Sequence, residues 1–122
     1  MISWEYLAGF VDGEAYIGLI PDRGRLRPKF CIANTDTHVM DLIAEFLSCK
    51  IYDRKLQLHT ATKTVELVIW GNKVIPILEN LIPYLIVKKN ASVLVLDYAK
   101  AHMTGNIKVG RKRKVHIELS SK

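Results

Sequence analysis

Residues 7–15 read Leu-Ala-Gly-Phe-Val-Asp-Gly-Glu-Ala. Two glycines and two carboxylates close a short apolar run. Gly9 and Gly13 stand four apart, so on a helix they share one face and leave it nearly bare of side chains. A second backbone can approach such a face closely, and Asp12 and Glu14 then fall where two chains or two halves meet. Carboxylates brought together repel unless a cation neutralises them. Taken alone, the stretch is either a divalent-metal site at a packing seam or an amphipathic helix with a glycine-rich end.

Working outward, Ala15 to Ile20 is rich in strand formers, and Pro21-Asp22-Arg23-Gly24 is a turn signal. From Arg25 to Ile32, Arg25, Arg27, Lys29 and Cys31 alternate with Leu26, Pro28, Phe30 and Ile32. That period of two describes a half-buried strand with a cationic face and an apolar face. The expected hairpin carries Arg25, Arg27 and Lys29 on its outer surface and Arg23 near its tip. A helix follows, capped by Asp36 or Thr37, with Val39, Leu42, Ile43, Phe46 and Leu47 at helical spacing. Two further strands are expected over residues 50–59 and 64–70. In the first, Lys55, Gln57 and His59 alternate with Leu56 and Leu58. Gly71-Asn72 breaks the pattern. Residues 73–84 suit a helix with Pro76 in its first turn and Pro83 limiting its end, and residues 91–103 suit a last one.

The order predicts an α+β fold, αββαββα, in which two hairpins form a curved four-stranded antiparallel sheet backed by helices on its apolar face. The other face is polar. It is either the solvated side of an ordinary antiparallel sheet or a DNA-binding surface, whose Arg, Lys and Gln side chains meet phosphates and base edges in the major groove.

A length of 122 residues, with 49% apolar and 25% charged side chains, fits one globular domain. The boundary is expected after residue 104, giving a body over 1–104 and a basic tail over 105–122. The tail holds Lys108, Arg111, Lys112, Arg113, Lys114 and Lys122 against Glu118, so most of the net charge of +6 resides there. Cys31 and Cys49 lack zinc-ligand spacing and read as reduced thiols of an intracellular protein, with a single disulfide as the alternative. The most apolar stretch, 74–87, is interrupted by Glu79, Asn80 and two prolines, which argues against a membrane span.

Leu7 to Ala15 resembles the nine-residue motif of the LAGLIDADG homing endonucleases, with Ala15 where that motif ends in glycine. The order of elements around it is similar too. Alanine fits there if the chain leaves the helix with negative φ. The resemblance implies a site-specific, intron-encoded nuclease that hydrolyses phosphodiesters in double-stranded DNA with Mg2+, or Mn2+ as a substitute. A single motif implies a homodimer, with Leu7, Ala8, Gly9, Val11 and Asp12 at the interface with a second identical subunit. The metal would be held by Glu14 and the Gly13 carbonyl, and Asp12 would be mainly structural. Further catalytic groups, by local matching, would be Asn34, His38 and Lys88, with Lys89 as the neighbour of the last. DNA would be bound by Arg23, Arg25, Arg27, Lys29, Lys55, Gln57 and His59, joined by Arg111, Lys112 and Arg113 of the tail. The competing implication is an intron-RNA maturase or a non-catalytic DNA-binding regulator on the same scaffold.

Overall fold

The structure, a computed structural model, describes residues 2–53 and 63–102. In chain order these form α1 (Trp4–Glu14), β1 (Ala15–Asp22), β2 (Arg25–Asn34), α2 (Thr37–Leu47), β3 (Tyr52–Asp53), β4 (Val65–Trp70), α3 (Val74–Leu81) and α4 (Lys89–His102). Short 3-10 turns at Gly71–Lys73 and Ile82–Tyr84 flank α3. The predicted helix over 73–84 is thus an α-helical core with a tightened turn at each end. The last helix begins two residues earlier than expected, at Lys89. Lys55, Gln57 and His59, the greater part of the predicted third strand, and the whole tail from residue 105 lie outside the described residues.

The four strands pair antiparallel in the order β1-β2-β4-β3. Register then fixes which side chains share a face. Ala15, Ile17 and Leu19 oppose Ile32, Phe30 and Pro28, and Ile32 and Phe30 in turn oppose Leu67 and Ile69. This row faces the helices. Leu7, Phe30, Ile32, Met40, Ile43, Leu67, Leu78 and Leu81 are fully buried within the single core it creates. A one-residue slip of β2 would carry its cations into that core and its Phe and Ile out, so burial on one side locks the register.

Asp36 rather than Thr37 caps α2: its Oδ1 accepts the Val39 N–H at 3.1 Å. At the other end, Ser48 closes the helix in the left-handed region with φ 56°. The hairpin turn is tighter than the sequence suggests. Pro21 and Asp22 remain in β1, paired with Leu26 and Arg25, and Arg23-Gly24 alone makes the turn with φ of 57° and 81°. Two successive positive φ values match the right-handed twist of the flanking strands, and glycine meets that demand where arginine is strained. Beyond the end of the β2–β4 pairing, the Leu26 N–H donates to the Tyr98 hydroxyl at 3.3 Å, tying the hairpin to α4. Replacing Gly24 by Ala is expected to lower unfolding free energy by about 1 kcal/mol, and Arg23→Asn to raise it by several tenths. Denaturant midpoints of the two variants measure both.

Candidate nucleic-acid interface and catalytic end

The motif helix ends where three other elements converge. Asp12 accepts the Ile86 N–H at 2.8 Å on Oδ2 and the Lys88 N–H at 3.0 Å on Oδ1. The Lys88 ammonium returns a bond to the Asp12 carbonyl at 2.9 Å, satisfying one of the open carbonyls of the helix end. Burial opposes ionisation of Asp12. The amides of Lys88, Ile86 and Val87, with the charge of Lys88, outweigh it and hold the carboxyl below its ordinary range. Asp12 is therefore a strut between α1 and the approach to α4.

Glu14 is the last residue of α1 and is exposed. The Asn34 amide nitrogen reaches its Oε1 at 3.4 Å, and Asn34 Oδ1 accepts the Asp36 N–H at 2.8 Å. A backbone N–H can only donate, so that second bond fixes which way the Asn34 amide points and leaves its NH2 for the carboxylate. Glu14, Asn34 and, through Asp12, Lys88 thus meet at one end of the sheet. His38 is exposed in the first turn of α2 and, among the described residues, makes no hydrogen bond or ion pair with them. The helix leaves through Ala15 with φ −95°, so alanine carries no strain at the final motif position. Among the described residues no group of three His, Cys, Asp or Glu side chains is arranged to hold a metal ion. One chain brings the Glu14 carboxylate, beside the peptide carbonyls at a helix C-terminus, where partial negative charge favours a cation.

The motif helix itself corrects one expectation. Leu7, Ala8 and Val11 are fully buried in this chain's own core and have no surface for a partner. Of the expected interface residues only Gly9 is fully exposed, Asp12 being partly so and committed to Ile86 and Lys88. The outward face carries Tyr6, Gly9 and Gly13, and a Cβ built on either glycine meets nothing within 4 Å. The apolar positions turn inward because the core needs them, and the glycines are left bare.

On the sheet face away from the helices stand Arg25, Arg27 and Lys29 of β2, Tyr16 of β1, Tyr52 of β3 and Trp70 of β4. Arg23 projects at the tip with 94% of its side chain exposed. The face is not simply cationic. Trp70 lies opposite Lys29 in the register, with the Arg27 guanidinium carbon 4.2 Å from the ring centroid and Lys29 Nζ at 5.2 Å. Trp70, Tyr16 and the carboxylate of Asp22 had no place in the sequence reading. The alternation that marked Arg27 also marks Trp70 within β4, and it is the signal that could have found it.

No family model and no curated protein sequence matches the chain. Solved structures do. The homing endonuclease I-CvuI, in complex with its target in the presence of calcium, superposes with a TM-score of 0.70 at 23% identity, covering 95% of this chain and 74% of that one. The archaeal intron-encoded homing endonuclease I-Vdi141I, complexed with DNA, gives 0.69 at 22% identity over 97% and 82%. The meganuclease I-SmaMI, bound to uncleavable DNA, gives 0.72 at 16% identity over 99% of this chain and 44% of that one. The chain has the LAGLIDADG endonuclease fold. Within the LAGLIDADG framework the motif end and the helix-free sheet face are the two regions that pair chemistry with exposure.

Asp12 offers a direct check of the strut. A depressed carboxyl contributes stability that is complete above its unfolded value, near pH 4, and is lost as pH falls through its folded value. Asn presents an NH2 to one of the two amides that now donate to Asp12. Asp12→Asn is expected to unfold at lower urea concentration at pH 7 and to show a shallower loss of stability on acidification below about pH 4 than the parent chain.

Proposed function

We propose that two copies of this chain, packed through the outward face of α1, form a site-specific double-strand DNA endonuclease of the homing type that depends on a divalent metal. The observation that carries the reading is the end of α1. There an exposed carboxylate, Glu14, stands beside a bare Gly9–Gly13 face and leads into a sheet with a cationic outer face. Two identical helices can close on such a face, bringing two Glu14 carboxylates together, one for each DNA strand. Ile86 at 84% and Val87 at 74% exposure flank the same helix end and supply apolar area for the contact. The 44% coverage of I-SmaMI leaves room for two such units in that chain, which agrees with a paired arrangement.

Glu14 and the Gly13 carbonyl would hold the metal, magnesium by preference and manganese as its substitute. When bound, the ion neutralises phosphate charge and lowers the pKa of a coordinated water. The chain's own residues have narrower tasks. Asn34 donates to Glu14 and fixes its orientation. Lys88 brings a positive charge to the end of the motif helix, and Asp12 keeps the segment 86–88 against it. His38, exposed on α2, would order solvent beside the scissile phosphate. Arg23, Arg25, Arg27 and Lys29 would meet one half-site in the major groove, with each subunit reading its own half. The DNA complexes of I-CvuI and I-Vdi141I support this choice of ligand.

Two variants separate the parts of the proposal. Glu14→Gln keeps the shape of the helix end and is expected to bind duplex DNA with unchanged affinity while losing cleavage in magnesium; full cleavage by this variant would overturn the metal role. Gly9→Leu adds a side chain into open space, and leucine is the better helix former by about 0.8 kcal/mol. A chain that functions alone should tolerate it. The expected result is a folded protein of equal or higher thermal stability that sediments as a monomer and no longer cuts both strands.

A further inference from the structure

The open face of the sheet carries more order than a phosphate-binding surface requires. A row of side chains runs across it through Tyr16, Lys29, Trp70, Arg27 and Asp22. The end of the Tyr16 ring lies over Gly18, where a Cβ would sit 2.7 Å from its Cζ, so glycine at 18 leaves the ring this place. Lys29 Nζ then stands 5.9 Å from the Tyr16 centroid and 5.2 Å from that of Trp70. Arg27 covers the other part of Trp70 at 4.2 Å, and its guanidinium lies 3.8 Å from Asp22 Oδ2.

The geometry around Arg27 has a specific consequence. The guanidinium sits over the indole, and among the described residues its N–H groups make one ion pair, with Asp22 at 3.8 Å, and no hydrogen bond. A guanidinium set over a ring, with donors not yet hydrogen-bonded among the described residues, matches the O6 and N7 acceptors of guanine in the major groove. The nearby carboxylate argues against a phosphate as the partner, since like charges would face each other there. Lys29 lacks a fork and acts as a point charge.

We propose that Trp70 is a positioning residue that holds Arg27 as a pre-oriented guanine reader for one base pair of each half-site. The proposal rests on the DNA-binding reading above and names a specificity determinant within it. One bidentate arginine–guanine pair corresponds to a preference of roughly 5- to 150-fold over other bases.

The test sequences the duplexes bound by the full chain from a randomised pool, alongside the salt dependence of binding to one fixed duplex. The parent chain is expected to prefer guanine at one position per half-site. Trp70→Leu, which fills the space without a π face, should flatten that position to a few-fold or less, leaving neighbouring positions and the salt slope unchanged. Arg27→Lys, which leaves the indole in place, should flatten the same position, and Trp70→Phe should keep most of the preference. The proposal is overturned if Trp70→Leu preserves the guanine preference or weakens every position alike. It also fails if Arg27→Lys changes no single position. A parent chain that binds duplex DNA without salt dependence would remove the functional reading and this proposal together. Normal binding with an unaltered profile in both variants would remove the proposal alone.

Discussion

The Asp12 carboxylate is the joint on which the end of the motif helix depends. It lies two residues from the exposed end of α1, yet its partners are the backbone of Ile86 and Lys88, more than seventy residues further along the chain. Two amide donors and one ammonium converge on a single residue, so the position of Lys88 beside the motif is decided by backbone geometry rather than by a flexible side chain. The same bonds set where α4 begins, because Ser92 N donates to the Lys88 carbonyl at 2.9 Å and opens that helix. A residue of the motif thus determines the path of a segment remote in sequence, and Glu14, two positions on, is left free of structural duty.

The sheet divides its labour in a comparable way. Its buried row of Ala15, Ile17, Phe30, Ile32, Leu67 and Ile69 holds the helices. Its outward row carries Arg25, Arg27, Lys29 and Trp70, with Cys31 the buried member among them. Two rings bridge the cations of the outward row, and an arginine stacked on tryptophan loses less freedom on binding than one that is free to rotate. The face is therefore partly organised before any ligand arrives.

Much of this was legible in the sequence because period and burial speak directly to each other. The alternation from Arg25 to Ile32 predicted both faces of β2, and the register bears it out. The sequence reading assigns Asp12 to structure and Glu14 to a metal; in the structure Asp12 accepts two backbone N–H bonds from the segment before α4, and Glu14 is exposed. The misreadings share one cause. Leu7, Ala8 and Val11 were assigned to a partner because a motif was read as a unit, whereas a helix has two sides and the core claims the apolar one. The hairpin turn was drawn too long because Pro21 looks like a turn residue. A proline without an N–H is tolerated in an edge strand such as β1. Trp70 was passed over because a tryptophan in an apolar strand reads as core until the pairing register shows its side.

The pairing of Tyr16 with Gly18 constrains how this surface can change over time. Most outward positions of the sheet could be exchanged one by one, because the residues that keep the fold standing lie on the opposite side. Tyr16 and Gly18 are linked: a side chain at 18 would shift the end of the exposed Tyr16 ring, and the ring in turn flanks Lys29. A change at Arg25 stays local, whereas one at 18 is felt at Tyr16 and, through the ring, beside Lys29.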